Sequence, residues 1–254
     1  MLSGPSIRAA ALSDPGCKRS TNEDMTWFDL NDRGFVLADG MGGERCGDYA
    51  SELATRAIVN YIKRINSGPE WPFGYDDSLT LSQNLVITAV RVANRAVWKA
   101  SNGRPECNGM GSTVSLVYFS GEFATIANVG DSRVYLLRSG EFRILTRDDL
   151  IVVDMIEAGE ITAEAAQTHP LRNVLSQAVG PQEDITVQVV EFTVKRGDRF
   201  LLSSDGLHGL VSTDELRRTI ADFRDIDEAT KALIAAARRN GGPDNISCIL
   251  IECC

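Results

Sequence analysis

Three aspartates, each at the edge of an apolar run, constrain this chain more than any other feature. Asp39 follows Phe35-Val-Leu-Ala and precedes Gly40, and Asp205 follows Phe200-Leu-Leu-Ser-Ser and precedes Gly206. Asp244 lies in Gly-Gly-Pro-Asp-Asn, just before the run Ile246 to Ile251. Strands ending this way bring carboxylates to one edge of a sheet core, where they repel each other unless a cation holds them. Clustered hard oxygen ligands without His or Cys nearby suit Mg²⁺ or Mn²⁺ rather than zinc. The pattern points to a metal-dependent enzyme.

The rest of the chain supplies a scaffold for those strands. Apolar positions recur at helical spacing from Asp48 to Ile62 and again from about Leu81 to Trp98, which predicts two amphipathic helices. After Gly111 the texture turns to strands over Ser112 to Phe119, Phe123 to Val129 and Arg133 to Arg138, with Ser139-Gly140 as a tight hairpin turn. Further strands are predicted over residues 34 to 39, Ile185 to Phe192, Arg199 to Ser203 and Ile246 to Ile251, and further helices over Thr213 to Asp222 and Asp227 to Arg239. Gly40 to Gly47 reads as a glycine-rich turn and residues 66 to 78 as a loop. Helices in pairs and strands in runs favour α+β over a doubly wound sheet. The expected architecture is two antiparallel sheets packed face to face and flanked by helix pairs, an α-β-β-α sandwich, in one domain over residues 1–254.

Charge and cysteine usage narrow the function classes. A formal charge of −9 and a pI near 4.8 argue against nucleic acid and anionic membrane as partners. A phosphate substrate stays compatible if metal ions reverse the local field. Six cysteines without a Cys-x-x-Cys pair read neither as a zinc site nor as a disulfide framework. Cys248 is expected in the core, and Cys253-Cys254 as an exposed tail. No signal peptide or membrane-length apolar run is visible, so a cytoplasmic location is expected.

Six motifs in order then carry a resemblance: Arg19-Ser-Thr-Asn-Glu-Asp24, Ala38-Asp-Gly-Met-Gly-Gly43, Gly111-Ser-Thr113, Asn128-Val-Gly-Asp-Ser-Arg133, Ser204-Asp-Gly206 and Asp244-Asn245. Each alone is a common turn composition. Together, from about residue 7 to 252, they resemble the bacterial branch of the metal-dependent (type 2C) protein Ser/Thr phosphatases. The resemblance implies Asp39 as the carboxylate bridging two Mg²⁺ or Mn²⁺ ions, the Gly40 carbonyl on one, and Asp205 and Asp244 on the other. It implies Glu23 and Asp24 in the outer shell, Asp131 with Asp205 on a third, weaker ion, and Arg19 on the substrate phosphate. The implied reaction is hydrolysis of phosphoserine and phosphothreonine by metal-activated water. The implied partners are phosphorylated proteins, a Ser/Thr kinase and its substrates, with type VI secretion one pathway by analogy.

The family pattern is departed from in three places. Met41 stands where animal-type relatives often carry a histidine that has been regarded as the general acid. Residues 147–180 resemble the family's flap, but Asp149 stands where relatives commonly carry a His. Ser176-Gln-Ala-Val-Gly180 lacks the basic residue common there. His169 is expected to be structural, and His208 follows Asp205-Gly-Leu near the site. The competing readings are a non-catalytic binding module and a hydrolase of small phosphoesters.

Overall fold

The two long amphipathic helices form where the apolar spacing places them. α1 (Gly47–Lys63) buries Ala50, Ala54, Ile58 and Ile62 along one stripe. α2 (Leu81–Asn102) opens on a capping box in which Thr80 accepts from the Gln83 amide and Gln83 reaches back. The computed structural model describes residues 5–42, 46–64, 68 and 70–254. Residues 43–45 of the predicted glycine-rich turn, and 66, 67 and 69 of the predicted loop, lie outside the described residues.

These helices cover a sheet in the order β2 (Asp24–Asp29), β3 (Gly34–Met41), β5 (Val114–Ser120), β6 (Phe123–Val129), β9 (Gln188–Thr193), with β4 (Gly111–Ser112) pairing at the end of β3. A second sheet runs β1 (Ile7–Asp14), β11 (Ile246–Cys253), β10 (Arg199–Ser203), β7 (Arg133–Arg138), β8 (Glu141–Ile144). Every pairing within them is antiparallel. α5 (Asp205–His208), α6 (Thr213–Asp222) and α7 (Ile226–Arg239) cover the second sheet. α3 (Ile151–Glu157) and α4 (Ala163–Gln167) occupy the segment between β8 and β9.

Side-chain alternation explains why the central strands read as unbroken apolar runs. Along β3, Phe35 and Leu37 enter the core between the sheets, while Val36 and Ala38 pack under α1 and α2. Along β11, Ile249 and Ile251 face the other sheet, whereas Cys248 and Leu250 face α7. Both faces of these strands are covered, so apolar residues fill both over most of their length. The four-layer α+β architecture expected from the sequence is the one observed.

Four details differ from expectation. The strand predicted over Ser112 to Phe119 breaks at Thr113, whose hydroxyl accepts the Asp39 amide at 3.0 Å. The strand predicted from Ile185 begins at Gln188, because the Thr186 amide is taken by the Gln177 side chain at 2.8 Å. Cys253 is buried, not in an exposed tail: β11 runs on to pair it with Ile7, and it shares the inter-sheet face of Ile249 and Ile251. Cys46 and Cys107 form a disulfide that ties the start of α1 to the turn after α2, although the cysteine pattern does not read as a disulfide framework. Among the described residues, no helix is long and apolar enough to cross a membrane.

Candidate active site

The ends of β3, β6 and β10 and the start of β11 surround one cleft of about 980 Å³, lined by Arg19, Glu23, Asp39, Gly40, Asp131, Asp205 and Asp244. Seven of the eight residues singled out from the sequence therefore meet there. The eighth, Asp24, lies buried behind the cleft wall, directly across the β2–β3 pair from Asp39.

Each group is placed by a local bond. The Asp39 backbone is fixed from both sides: its amide donates to Thr113 Oγ1, and its carbonyl accepts the Thr113 amide at 2.8 Å and the Ser112 hydroxyl at 3.0 Å. The Gly40 amide donates to the Glu23 carbonyl at 3.1 Å. Asp205 opens α5 immediately after β10, with Ser204 at the cap position. A Cβ on Gly206 would lie 1.9 Å from the Asn245 carbonyl oxygen, so only glycine lets the Asp205 turn approach the Asp244 strand.

Asn245 is a positioning group that the sequence reading quoted but gave no role. Its Oδ1 accepts the Glu23 amide at 2.8 Å, and its Nδ2 donates to the carbonyls of Pro15 and Thr21 at 3.1 and 2.9 Å. One buried side chain thus anchors the irregular segment carrying Arg19 and Glu23 to the start of β11. Arg19 reaches across the cleft mouth, its Nη2 2.8 Å from Asp244 Oδ2. Thr113 was likewise quoted only as motif. The signal was present in both cases, in the fixed company these residues keep with Asp39 and Asp244.

The electrostatics are those of a site short of positive charge. Burial pushes Asp39 well above the ordinary carboxylate range, and Asp24, Asp205, Asp131 and Asp244 push it further. Burial, then Asp205 and Asp148, raise Asp131 to about 7. Burial, then Asp244, raise Asp205, although its side chain is open to the cleft. Asp24 is raised to about 6 by burial, against the Ser247 and Ser204 hydrogen bonds that favour its charged form. Its Oδ2 accepts from Ser204 Oγ at 3.0 Å, while its Oδ1 is buried without a partner.

An orphaned carboxylate oxygen and a set of mutually repelling acids fit a divalent cation with hard oxygen ligands. As they stand, no three His, Cys, Asp or Glu side chains among the described residues are arranged to hold one. The carboxylates ring the cleft.

The departures from the family pattern fall around this ring. Met41 lines the cleft, which has no histidine among its described lining residues. His208 borders an adjoining hollow of about 520 Å³, where burial and then Arg133 lower it to about 3 and its Nδ1 lies 2.9 Å from Ser203 Oγ. It is a neutral structural ring. His169 Nδ1 accepts the Leu171 amide at 3.2 Å, a local turn contact. Asp149 is buried and absent from the lining of both hollows.

Comparison with known proteins agrees with this geometry. The family model for protein phosphatase 2C matches residues 18–249. The Ser/Thr protein phosphatase PstP of Mycobacterium tuberculosis is 35% identical over 247 residues, covering 97% of this chain and 45% of PstP. The chain thus spans less than half of that relative. A structure of the PstP catalytic domain in complex with two manganese ions superposes with a TM-score of 0.81 at 31% identity, over 97% of each chain. The protein phosphatase PhpP of Streptococcus pneumoniae D39 is 31% identical over 250 residues, 97% of either protein. PppA, a regulatory component of the type VI secretion system in Pseudomonas aeruginosa, superposes with a TM-score of 0.82 at 28% identity, over 100% and 99% of the two chains. Matched by that family model over most of its length and 35% identical to PstP, the chain belongs to the protein phosphatase 2C family of metal-dependent protein phosphatases.

Proposed function

We propose that this chain hydrolyses phosphoserine and phosphothreonine in proteins, using two Mg²⁺ or Mn²⁺ ions held by Asp39, the Gly40 carbonyl, Asp205 and Asp244. The observation carrying the reading is that the half-buried Asp39 carboxylate faces three other acids across one cleft. When bound, the ions supply a nucleophilic water at neutral pH and offset charge on the phosphoryl oxygens. Asp131 with Asp205 supports a third, weaker ion.

The chain's own groups do the remaining work. Arg19 stands at the cleft mouth, where its planar fork grips phosphate oxygens in exchange for its present contact with Asp244. Glu23 on the cleft wall and Asp24 behind it would form the outer shell of the ions, and Asn245 keeps Glu23 and Arg19 in register with Asp244. The segment 147–180 serves as the flap of a single catalytic domain over residues 1–254. The partner we infer is a Ser/Thr kinase together with its substrates. The likenesses to PstP, PhpP and PppA support bacterial kinase signalling without selecting a pathway. We place the enzyme in the cytoplasm, where the Cys46–Cys107 disulfide would meet a reducing medium in which such bonds are uncommon.

The test is phosphate release from a phosphothreonine peptide by wild type and Asp39→Asn, with Mn²⁺ and then with EDTA. Release should need the metal and fall by roughly 100-fold or more in the variant, at least the loss seen for one electrostatic catalytic group. Absence of release with any divalent metal would favour a binding module instead. Faster turnover of small phosphate esters than of the peptide would reassign the substrate class.

A further inference from the structure

Asp149 is a buried carboxylate that the reaction does not use, 2% exposed, in the link between β8 and α3. Its Oδ2 accepts the Gly130 amide at 2.9 Å, and its own amide donates to the Gly130 carbonyl at 3.0 Å. The two residues therefore clasp each other through a reciprocal pair of hydrogen bonds. Gly130 immediately precedes Asp131, at the turn between β6 and β7.

That turn has little freedom to relax. Gly130 has φ +98°, and a Cβ there would stand 2.7 Å from Thr113 Cγ2. Thr113 in turn holds both backbone groups of Asp39 and hydrogen-bonds Ser132 Oγ at 2.7 Å on the far side of Asp131. Asp131 is thus suspended between two fixed neighbours, with Asp149 securing the first.

Asp149 is secured from the flap side. Its Oδ1 accepts Gln188 Nε2 at 2.9 Å and lies 3.5 Å from Arg147 Nη1, and its carbonyl accepts the Ser176 amide at 2.8 Å. Both ends of the flap segment meet at this residue.

We propose that Asp149 is a positioning residue for Asp131: by clasping Gly130 it holds the Asp131 carboxylate toward Asp205, and so sets the affinity of the ion those two acids share. The inference rests on the carboxylate-and-ion reading above. An outer-shell acceptor that orients a ligand through one backbone link has this effect on metal sites generally.

The experiment is calorimetric titration of Mn²⁺ into the metal-stripped full chain. Wild type should show a weaker binding event that Asp131→Ala removes. Asp149→Ala should weaken that event about ten-fold, the low end for loss of an outer-shell partner. Asp149→Asn should weaken it less, because an amide oxygen can still accept the Gly130 amide. Gln188→Ala, which removes the Oδ1 contact and the two Gln188 bonds to the Arg147 backbone but leaves the Gly130 clasp in place, should leave it unchanged. In the Asp131→Ala background, Asp149→Ala should change ion binding no further, while hydrogen exchange at the Gly130 amide still accelerates. If Asp149→Ala does not fold, Asp149→Asn and Gln188→Ala carry the comparison.

An unchanged weaker event in both Asp149 variants overturns the proposal. So does an equal loss in Gln188→Ala, which would mean general destabilisation of the flap base. If Asp131→Ala leaves the wild-type isotherm intact, the ion-holding role of Asp131 falls first, and this inference with it.

Discussion

Asp24 and Asp39 are direct partners across the β2–β3 ladder, two acids on one sheet face. Like charges at opposed positions destabilise a sheet, and here burial adds to the cost. The consequence is a protein whose stability should depend on pH and metal in opposite senses. Asp24, raised from 3.8 to about 6, and Asp131, raised to about 7, bind protons more readily folded than unfolded. Stability from these groups is present at low pH and is lost as pH climbs from about 4 through about 7. For Asp24 the shift corresponds to about 3 kcal/mol. In EDTA, the urea midpoint should therefore fall over that window. With saturating Mn²⁺ the gain from metal should grow as pH rises, because ligands must be deprotonated. A metal-free midpoint that rises between pH 5 and 7 would contradict this.

Arg19→Ala should act on substrate binding. Its ion pair with Asp244 is half exposed on both sides and contributes little to stability. Loss of a charged hydrogen-bonding group should raise KM by roughly ten-fold or more, with a smaller change in kcat. Steady-state kinetics on a phosphothreonine peptide measures the split, and an unchanged KM removes Arg19 from the phosphate site.

Gly206→Ala should separate Asp205 from Asp244, since the new Cβ would meet the Asn245 carbonyl. The expected cost is about 1–3 kcal/mol of stability, together with weaker Mn²⁺ binding. Gly103→Ala is the control, because its Cβ would come no closer than 3.2 Å to other atoms. Comparable Mn²⁺ affinities in the two variants would show that the close approach does not shape the site.

Reduction of Cys46–Cys107 should lower stability. The bridge spans a sequence separation of 61 residues, for which the chain-entropy account gives about 4 kcal/mol at most. Urea midpoints with and without dithiothreitol, and of the Cys46→Ser/Cys107→Ser double variant, measure it. Indifference to the reductant in wild type, alongside a destabilised double variant, would mean that the bond is sealed from solvent rather than absent.

What could be read from the sequence was local. Phe123–Val129, Arg133–Arg138, Arg199–Ser203 and Thr213–Asp222 begin and end where their apolar patterns and turn residues say they should. That most of the candidate site residues would meet in one cleft was legible because their motifs stand at the ends of such elements. β1 and β2 were not, because their exposure is mixed along both strands and β1 earns its place only by pairing with β11 at the opposite end of the chain. The disulfide was hidden for the same reason: nothing near Cys46 marks Cys107 as its neighbour until α1 and α2 pack together. Asp149 read in the sequence only as a departure from the family's His, yet the fold turns it inward onto Gly130.

The cleft straddles the sandwich. Asp39 is delivered by one sheet, Asp205 and Asp244 by strands of the other, and Asp131 by the chain as it crosses between them. Neither sheet alone carries the full set of these carboxylates. Turnover is therefore an all-or-none readout of whether the two halves have docked. A chain cut between β6 and β7 would regain activity only when its fragments reassemble.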